Sequence, residues 1–180
     1  MKTLHGNVDL HEKGLRRLPK GPDGSWFFEG LDIDGKFDIA YNNIISLEGC
    51  PASVNELLAY GNYRLASLEF IPHSRGNIYL EYLYELKNLK GFSQKIVNGD
   101  FKIAGSHLES FKGLPEKIYG DFTCINCGVK SLKHMPKEVY GDFDLSNNPG
   151  NFTEDDIRAV CDVHGYVHSS RYTRGPTERD

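Results

Sequence analysis

The chain has 180 residues, 39% of them hydrophobic, and its 21 Lys and Arg against 25 Asp and Glu give a formal net charge of -4. This size and polarity predict a single folded domain over residues 1–168, and the acidic balance argues against a general nucleic-acid binder. The 4 Cys are unevenly spaced, so we expect reduced thiols rather than disulfides. No segment resembles a signal sequence or a membrane span, so we expect no membrane association and a cytoplasmic location.

The first elements along the chain are a degenerate repeat and an insertion. Val8 and Leu10 alternate as in a short strand. Residues 21–34, which contain Trp26-Phe27-Phe28, interrupt the pattern and are expected to form a loop packed over the first turn. The alternation then returns at Phe37-x-Ile39, Leu57-x-Ala59 and Ile78-x-Leu80.

The middle of the chain is periodic. Segments that carry Gly-Asp-Phe begin 21 residues apart, at Asn98–Ile103, Tyr119–Cys124 and Tyr140–Leu145. A period of this length predicts a β-rich solenoid, because one unit cannot bury its apolar face without stacking on its neighbours. About seven repeats are expected over residues 6–152. They would place a parallel sheet on one side and short turns or 3₁₀ segments, such as Pro115–Ile118, on the other.

A polar residue recurs three positions after the second apolar residue of each pair. The members are Asn42, Asn62, Cys127 and Asn148. A buried polar side chain at this position can bond the backbone of adjacent turns, which offsets its desolvation.

The complete unit, F/L-x-I/L/C-x-x-N/C-x-L-x-x-L, resembles the leucine-rich repeat. The segment Leu57–Asn62 followed by Leu65 and Leu68 is similar to the short repeats of bacterial effectors, and the Gly-Asp-Phe and Pro-x-x-Val/Ile steps resemble small phage-encoded leucine-rich-repeat-like proteins. The sequence departs from this unit at two places. One extra residue lies between Asn62 and Leu65, and Leu83 occupies the position where other units carry Asn. The resemblance implies a leucine-rich-repeat-like fold and, by its phage members, a modulator or inhibitor of a bacterial host factor.

Residues 153–168 are predicted to cap the solenoid. Thr153–Asp156 has the pattern of a helix start with a capping box, and Gly165 is placed to end that helix. The side chains expected on one helical face are Ile157, Val160, Cys161 and His164. Tyr166-Val167 would add a short strand, and residues 169–180 are expected to form a flexible polar tail.

The outward positions of the predicted sheet supply the candidate binding site. Leu58 and several tyrosines alternate with core residues, so they should form an exposed aromatic patch with an acidic rim. The predicted site consists of Tyr41, Glu56, Leu58, Tyr60, Tyr79, Glu81, Tyr82, Asp100, Lys102, Asp121 and Thr123. This composition is typical of protein-binding surfaces, and the acids favour a basic protein partner. The sequence therefore predicts a non-enzymatic binding module.

Other features of the sequence leave alternatives open. Cys124 and Cys127 could bind zinc with His107 or His134 in a metal protein or an enzyme, although the repeat phase places both cysteines in the core. Self-association through an exposed edge or the tyrosine patch is a second alternative. Nucleic-acid binding would rest on the N-terminal cations Lys13, Arg16, Arg17 and Lys20. The in-register acids Asp100, Asp121 and Asp142 are expected to form a solvated edge, and no catalytic motif or cofactor site is predicted.

Overall fold

Short parallel strands, stacked coil upon coil, build the chain into a solenoid of about six turns. The computed structural model describes residues 1–109 and 111–169. In chain order the elements are β1 (Thr3–His5), β2 (Val8–Asp9), β3 (Asp32–Asp38), β4 (Ser53–Leu58), β5 (His73–Ser74), β6 (Ile78–Tyr79), β7 (Ile96–Val97), β8 (Phe101–Lys102), β9 (Lys117–Ile118), β10 (Phe122–Thr123), β11 (Glu138–Val139), β12 (Phe143–Asp144), α1 (Glu154–Arg158), β13 (Asp162–Val163) and β14 (Val167–His168).

The strands form two parallel sheets. The main sheet has the order β1-β3-β4-β6-β8-β10-β12-β14, with β2 beside β3 and β5 beside β4, and a second sheet has the order β13-β11-β9-β7. Phe101, Phe122 and Phe143 pair directly across β8, β10 and β12, and all three are fully buried. The predicted parallel β-solenoid and its period of 21 residues are therefore confirmed.

The core lies between the two sheets and the loops that close each coil. Main-sheet strands contribute one inward row, which includes Phe37, Leu57, Ile78, Phe101, Phe122 and Phe143. The first residues of the long strands β3 and β4, together with the strands of the second sheet, contribute a second row, which includes Ile33, Val54, Val97, Ile118, Val139 and Val163. Because each coil supplies one residue to each row, the apolar surface of every unit is covered by its neighbours.

The segments that follow Pro115 and its equivalents differ from the prediction. Lys117–Ile118 and Glu138–Val139 form β9 and β11 of the second sheet rather than 3₁₀ turns. Their outward charge and inward β-branched residue fit the two-residue alternation of a strand. The insertion also ends earlier than expected, because residues 32–34 belong to β3 and pair with β1.

The polar column of asparagines behaves as predicted. Asn62 donates from Nδ2 to the carbonyls of Ile39 (3.0 Å) and Ala59 (2.9 Å), and its Oδ1 accepts from the N–H of Ile44 at 3.0 Å. Asn42 and Asn148 make equivalent bonds. Each side chain thus joins the backbone of adjacent coils while its own polar atoms stay satisfied in the core.

Successive Gly-Asp turns are joined by hydrogen bonds from the backbone of one turn to the aspartate side chain of the turn before. This corrects the expectation of a solvated acidic edge. The Oδ1 atom of Asp100 accepts from the N–H of Asp121 at 3.0 Å, and that of Asp121 accepts from the N–H of Asp142 at 2.9 Å. Asn77 below and Tyr166 above continue this ladder. A Cβ on Gly120 would collide with Asp100 Oδ1, so glycine is needed there because the coils approach closely.

The C-terminal cap contains a shorter helix than predicted. The capping box between Thr153 and Asp156 is present, and Ile157 is buried, but α1 ends at Arg158. The helical face proposed to run through Val160, Cys161 and His164 is therefore wrong: Val160 is half exposed, and the last two flank β13. Gly165 does not end the helix, because its N–H donates to Gly141 O (3.1 Å) as part of another coil turn.

The remaining C-terminal predictions divide between two outcomes. The expected short strand exists as β14, one residue later than predicted, and it pairs with β12. Apart from Ser169, the predicted flexible tail lies outside the described residues. Among the described residues, no helix is long and apolar enough to cross a membrane.

Candidate functional site

A cleft of about 310 Å³ lies on the outer face of the main sheet, across β4, β6 and β8 and the loops that follow β3, β4 and β6. Seven predicted site residues line it: Tyr41, Leu58, Tyr60, Tyr79, Glu81, Tyr82 and Lys102. We call this feature the tyrosine cleft. Of the other predicted residues, Asp100 accepts a hydrogen bond from the hydroxyl of Tyr79, and the charge of Glu56 acts on Tyr79 from nearby. Asp121 and Thr123 lie on the next coil and do not line the cleft.

The loops place two tyrosines at a backbone position of unusual conformation. One residue per coil, at the start of the turn after the main-sheet strand, is left-handed, with φ between 50° and 72°. The residues at this position are Glu12, Tyr41, Gly61, Tyr82, Gly105, Asn126 and Asn147. Glycine and asparagine tolerate this conformation well, and bulky residues adopt it rarely. Tyr41 and Tyr82 therefore hold strained backbone at the cleft.

Glycine on the neighbouring coil makes room for each of these tyrosine rings. A Cβ on Gly61 would lie 2.6 Å from the ring of Tyr41, and one on Gly105 would lie 2.8 Å from the ring of Tyr82. Tyrosine and glycine thus alternate along the column, and each ring covers the glycine beside it. Tyr60 completes the cluster, because its ring meets that of Tyr41 edge-on, with centroids 5.2 Å apart at 90°.

Leu58 forms the floor of the cleft rather than part of its exposed surface. It follows the inward residue Leu57 on β4 and pairs with Tyr79, so it does face outward as predicted. Only 7% of Leu58 is exposed, however, whereas Tyr41 and Tyr82 are 43% and 45% exposed. The expectation that Leu58 is exposed is wrong because the surrounding aromatic residues cover it.

Glu81 provides the electrostatic centre of the cleft. Its Oε2 atom is buried and has no hydrogen-bond partner among the described residues. Burial raises the pKa of Glu81, and the opposing effects of its backbone N–H and of Lys102 are smaller. Burial, together with the nearby carboxylate of Asp100, also raises the pKa of Tyr79 to about 12. An unmatched carboxylate oxygen among tyrosines favours a cation that enters from outside.

The rim combines acids with two lysines of the chain. Lys102 Nζ lies 3.4 Å from Asp100 Oδ2 and 5.4 Å from the ring centroid of Tyr79. Lys36 Nζ lies 3.4 Å from Glu56 Oε2. The carboxylates at or beside the cleft are those of Asp38, Glu56, Glu81 and Asp100. They outnumber the two lysines, so the local charge is negative, which favours a basic ligand.

Sequence reasoning missed His11 and Asp38 at the edge of the tyrosine cleft. The His11 ring meets that of Tyr41 at 5.4 Å and 79°, and its Nδ1 lies 3.6 Å from Asp38 Oδ1. His11 occupies the outward position that Tyr60 and Glu81 occupy in later coils. Extending that column back to the first coil would have found it.

Cys124 and Cys127 are neighbours in the core, but among the described residues they form no cluster of three ligands with His107 or His134. Cys124 and Cys127 are buried, burial raises the pKa of the Cys124 thiol, and Cys127 Sγ donates to Ile103 O at 3.3 Å. His107 and His134 are exposed, and a ring nitrogen of His107 lies 2.6 Å from Tyr84 O. In the described part of the chain, the three metal-ligating side chains that do come together are Glu138, Asp162 and His164.

The N-terminal cations considered for nucleic acid include two with partners inside the chain. Arg17 pairs with Glu48 at 3.4 Å, and Lys20 lies over the ring of Trp26, 4.3 Å from its centroid. These contacts tie both cations to the first coils.

Together the fold and the cleft define a parallel β-solenoid of stacked repeats that presents an aromatic, acidic cleft on its main sheet. Comparison of the chain with protein-family models, with curated proteins and with solved structures finds no match. Because one repeat fold can carry many unrelated functions, function has to be argued from the cleft itself.

Proposed function

We propose that the chain is a leucine-rich-repeat-like, non-enzymatic binding module that holds a basic segment of a partner protein in the tyrosine cleft. The observation that carries this proposal is the buried, unpartnered Oε2 of Glu81 on a face lined by four tyrosines. A Lys or Arg side chain of the partner would satisfy that oxygen and pack against the aromatic rings.

The backbone strain at Tyr41 and Tyr82 supports the same proposal. A left-handed conformation costs an L-residue other than glycine roughly 1 kcal/mol, and the later coils avoid much of that cost with Asn126 and Asn147. Both tyrosines also stay almost half exposed, so a large part of each residue is available to a ligand rather than packed on the neighbouring coil. Binding provides a physical reason for them, because Tyr offers a large contact area at small conformational cost.

The biological setting is the part of the proposal that rests on sequence resemblance. The Gly-Asp-Phe and Pro-x-x-Val/Ile steps support a phage-encoded modulator or inhibitor that acts on a bacterial factor in the host cytoplasm. Affinity capture from bacterial lysate, followed by mass spectrometry, would supply the partner for quantitative binding measurements.

The decisive experiment compares tyrosines inside and outside the cleft. Tyr60→Ala and Tyr79→Ala should each lower affinity for the captured partner by about 2 kcal/mol, or roughly 30-fold in Kd, while circular dichroism and the melting temperature change little. Tyr84→Ala is the matched control, because Tyr84 is exposed and stacks on Tyr63 at 5.0 Å away from the cleft. Loss of folding in the cleft variants, or equal loss of binding in Tyr84→Ala, would contradict the proposal.

A second copy of the chain is the competing occupant of the tyrosine cleft. Light scattering across a concentration series separates the two outcomes: a monomer at all concentrations fits a separate partner, and a dimer lost in Tyr60→Ala would identify a second copy of the chain instead.

A further inference from the structure

A second cluster of functional groups lies at the C-terminal end of the other sheet, away from the tyrosine cleft. Glu138 and Asp162 are directly paired neighbours on β11 and β13, and His164 follows β13. His164 Nε2 lies 3.4 Å from Glu138 Oε1 and 3.6 Å from Asp162 Oδ2. The three potential ligand atoms all lie within 4.8 Å of one another.

Contacts with the preceding coils orient two of these groups. Lys117 Nζ holds the other oxygen of Glu138, Oε2, at 2.8 Å, and also donates to Tyr140 Oη at 3.0 Å. Glu138 Oε1 is thereby directed toward the imidazole. The ring of His164 stacks on that of Tyr140, with centroids 4.4 Å apart at 14°, and Tyr140 stacks in turn on Tyr119.

The two separations from His164 Nε2 are longer than direct hydrogen bonds and fit a coordination shell better. A tetrahedral Zn²⁺ ion with bonds of 2.0–2.2 Å to nitrogen and oxygen places adjacent ligand atoms about 3.4 Å apart. Good hydrogen bonds between such atoms measure about 2.7–3.2 Å. Both distances from His164 Nε2 therefore match the edges of a tetrahedron around an ion.

We propose that Glu138, Asp162 and His164 form a binding site for a divalent transition-metal ion, with Zn²⁺ the best fit and water completing the shell. One imidazole and two carboxylates are a donor set that suits such ions. The site is open to solvent, since the side chains of His164 and Asp162 are 43% and 76% exposed. The charge of Lys117 opposes an incoming cation, but two carboxylates outweigh it.

The ligands come from two successive coils, which gives the metal a structural consequence. Glu138 belongs to β11, and Asp162 and His164 belong to the last described coil, which follows α1. A bound ion would join these two coils at the end of the second sheet. Since an ion that binds only the folded chain stabilises it, Zn²⁺ should raise the melting temperature.

The test is a titration of the full chain, purified free of metal, with Zn²⁺ at pH 7.5, followed by calorimetry and by thermal unfolding. We expect one equivalent to bind and the melting temperature to rise, and we expect both effects to be lost in His164→Ala and strongly reduced in Asp162→Asn. Mg²⁺ at the same concentration should have neither effect, because it prefers oxygen ligands.

Two control variants make the outcome specific. His107→Ala removes another exposed histidine beside a tyrosine ring, 6.0 Å from that of Tyr84, and should leave zinc binding unchanged. Cys127→Ser removes the thiol site considered from the sequence and should also leave it unchanged. Absence of saturable Zn²⁺ binding, or binding that persists in His164→Ala, would overturn the proposal, and its loss in Cys127→Ser would move the site to the cysteines.

Discussion

Substitution of Asp121 tests whether the ladder of Gly-Asp turns stabilises the stack of coils. Asp121 Oδ1 accepts from the N–H of Asp142 at 2.9 Å, and the N–H of Asp121 donates to Asp100 Oδ1 at 3.0 Å. Asp121→Ala removes only the first of these bonds, because the second uses the backbone. It also removes a negative charge from a column of three acids.

The two effects have opposite signs. Loss of the acceptor for a partly buried N–H costs about 1–3 kcal/mol. Removal of the charge relieves repulsion from Asp100 and Asp142, and such pairs of side chains on neighbouring strands typically contribute about 0.2–1 kcal/mol each. We therefore expect Asp121→Ala to lower the free energy of unfolding by roughly 1 kcal/mol.

Asp121→Asn separates the two effects. Asparagine keeps the acceptor and removes the charge, and the chain itself uses Asn77 and Asn7 in this role, each accepting a backbone N–H at 2.9 Å. Urea unfolding followed by circular dichroism should rank the asparagine variant at or above the wild type and the alanine variant below both. If the alanine and asparagine variants unfold at the same urea concentration, the ladder bonds contribute nothing and the reasoning is refuted.

Three further predictions concern the tyrosine cleft and the buried thiols. Tyr82→Asn relieves the left-handed strain but uncovers Gly105, so urea unfolding should stay within about 1 kcal/mol of the wild type while partner affinity falls at least tenfold; a large loss of stability would make Tyr82 a structural residue. Because burial raises the folded-state pKa of Glu81, its contribution to stability is present at low pH and is lost as pH rises through that pKa. Glu81→Gln should therefore unfold at a higher urea concentration than the wild type at pH 7 and at the same urea concentration at pH 3.5. An equal difference at both pH values would show that the buried charge of Glu81 is not the cause. Cys124 and Cys127, whose sulfurs are buried, should react with a thiol reagent only after denaturation, and fast reaction of the native chain would contradict their placement.

The main sheet and its core could be predicted because every repeat carries an apolar residue at the same inward-facing position. Phe101, Phe122 and Phe143 recur at one period and pair in register. The asparagine column was predictable for the same reason, since a buried amide needs backbone partners and an adjacent coil supplies them. Most of the residues that line the tyrosine cleft followed from alternation along the strands.

The second sheet was not predicted because β9 and β11 each follow a proline that signals a helix start, whereas the equally short strands of the main sheet carry an apolar-x-apolar pair. Lys117–Ile118 shows too little alternation to compete with the helix-start signal of the preceding proline. The coil that contains β13 and β14 was missed for a related reason, because the acidic residues and the capping box at the start of α1 predict a helix that continues through Cys161 and His164. The spacing Val163-x-Gly165-x-Val167 repeats that of Val139-x-Gly141-x-Phe143, and this match was the signal for one more coil.

The candidate sites lie where single residues depart from the repeat. At the left-handed position the later coils carry Asn126 and Asn147, which suit the backbone, whereas two earlier coils carry tyrosine and bear the strain. Beside the second sheet the rings of Tyr119, Tyr140 and His164 stack one on another. His164 supplies a ring nitrogen that can bind a metal ion, whereas the two tyrosine rings have none. A stack needs only that each coil fit its neighbours, and neither the backbone strain at Tyr41 and Tyr82 nor the unpartnered oxygen of Glu81 stabilises it. Such departures, rather than the repeated residues, are therefore where a binding partner or an ion should act.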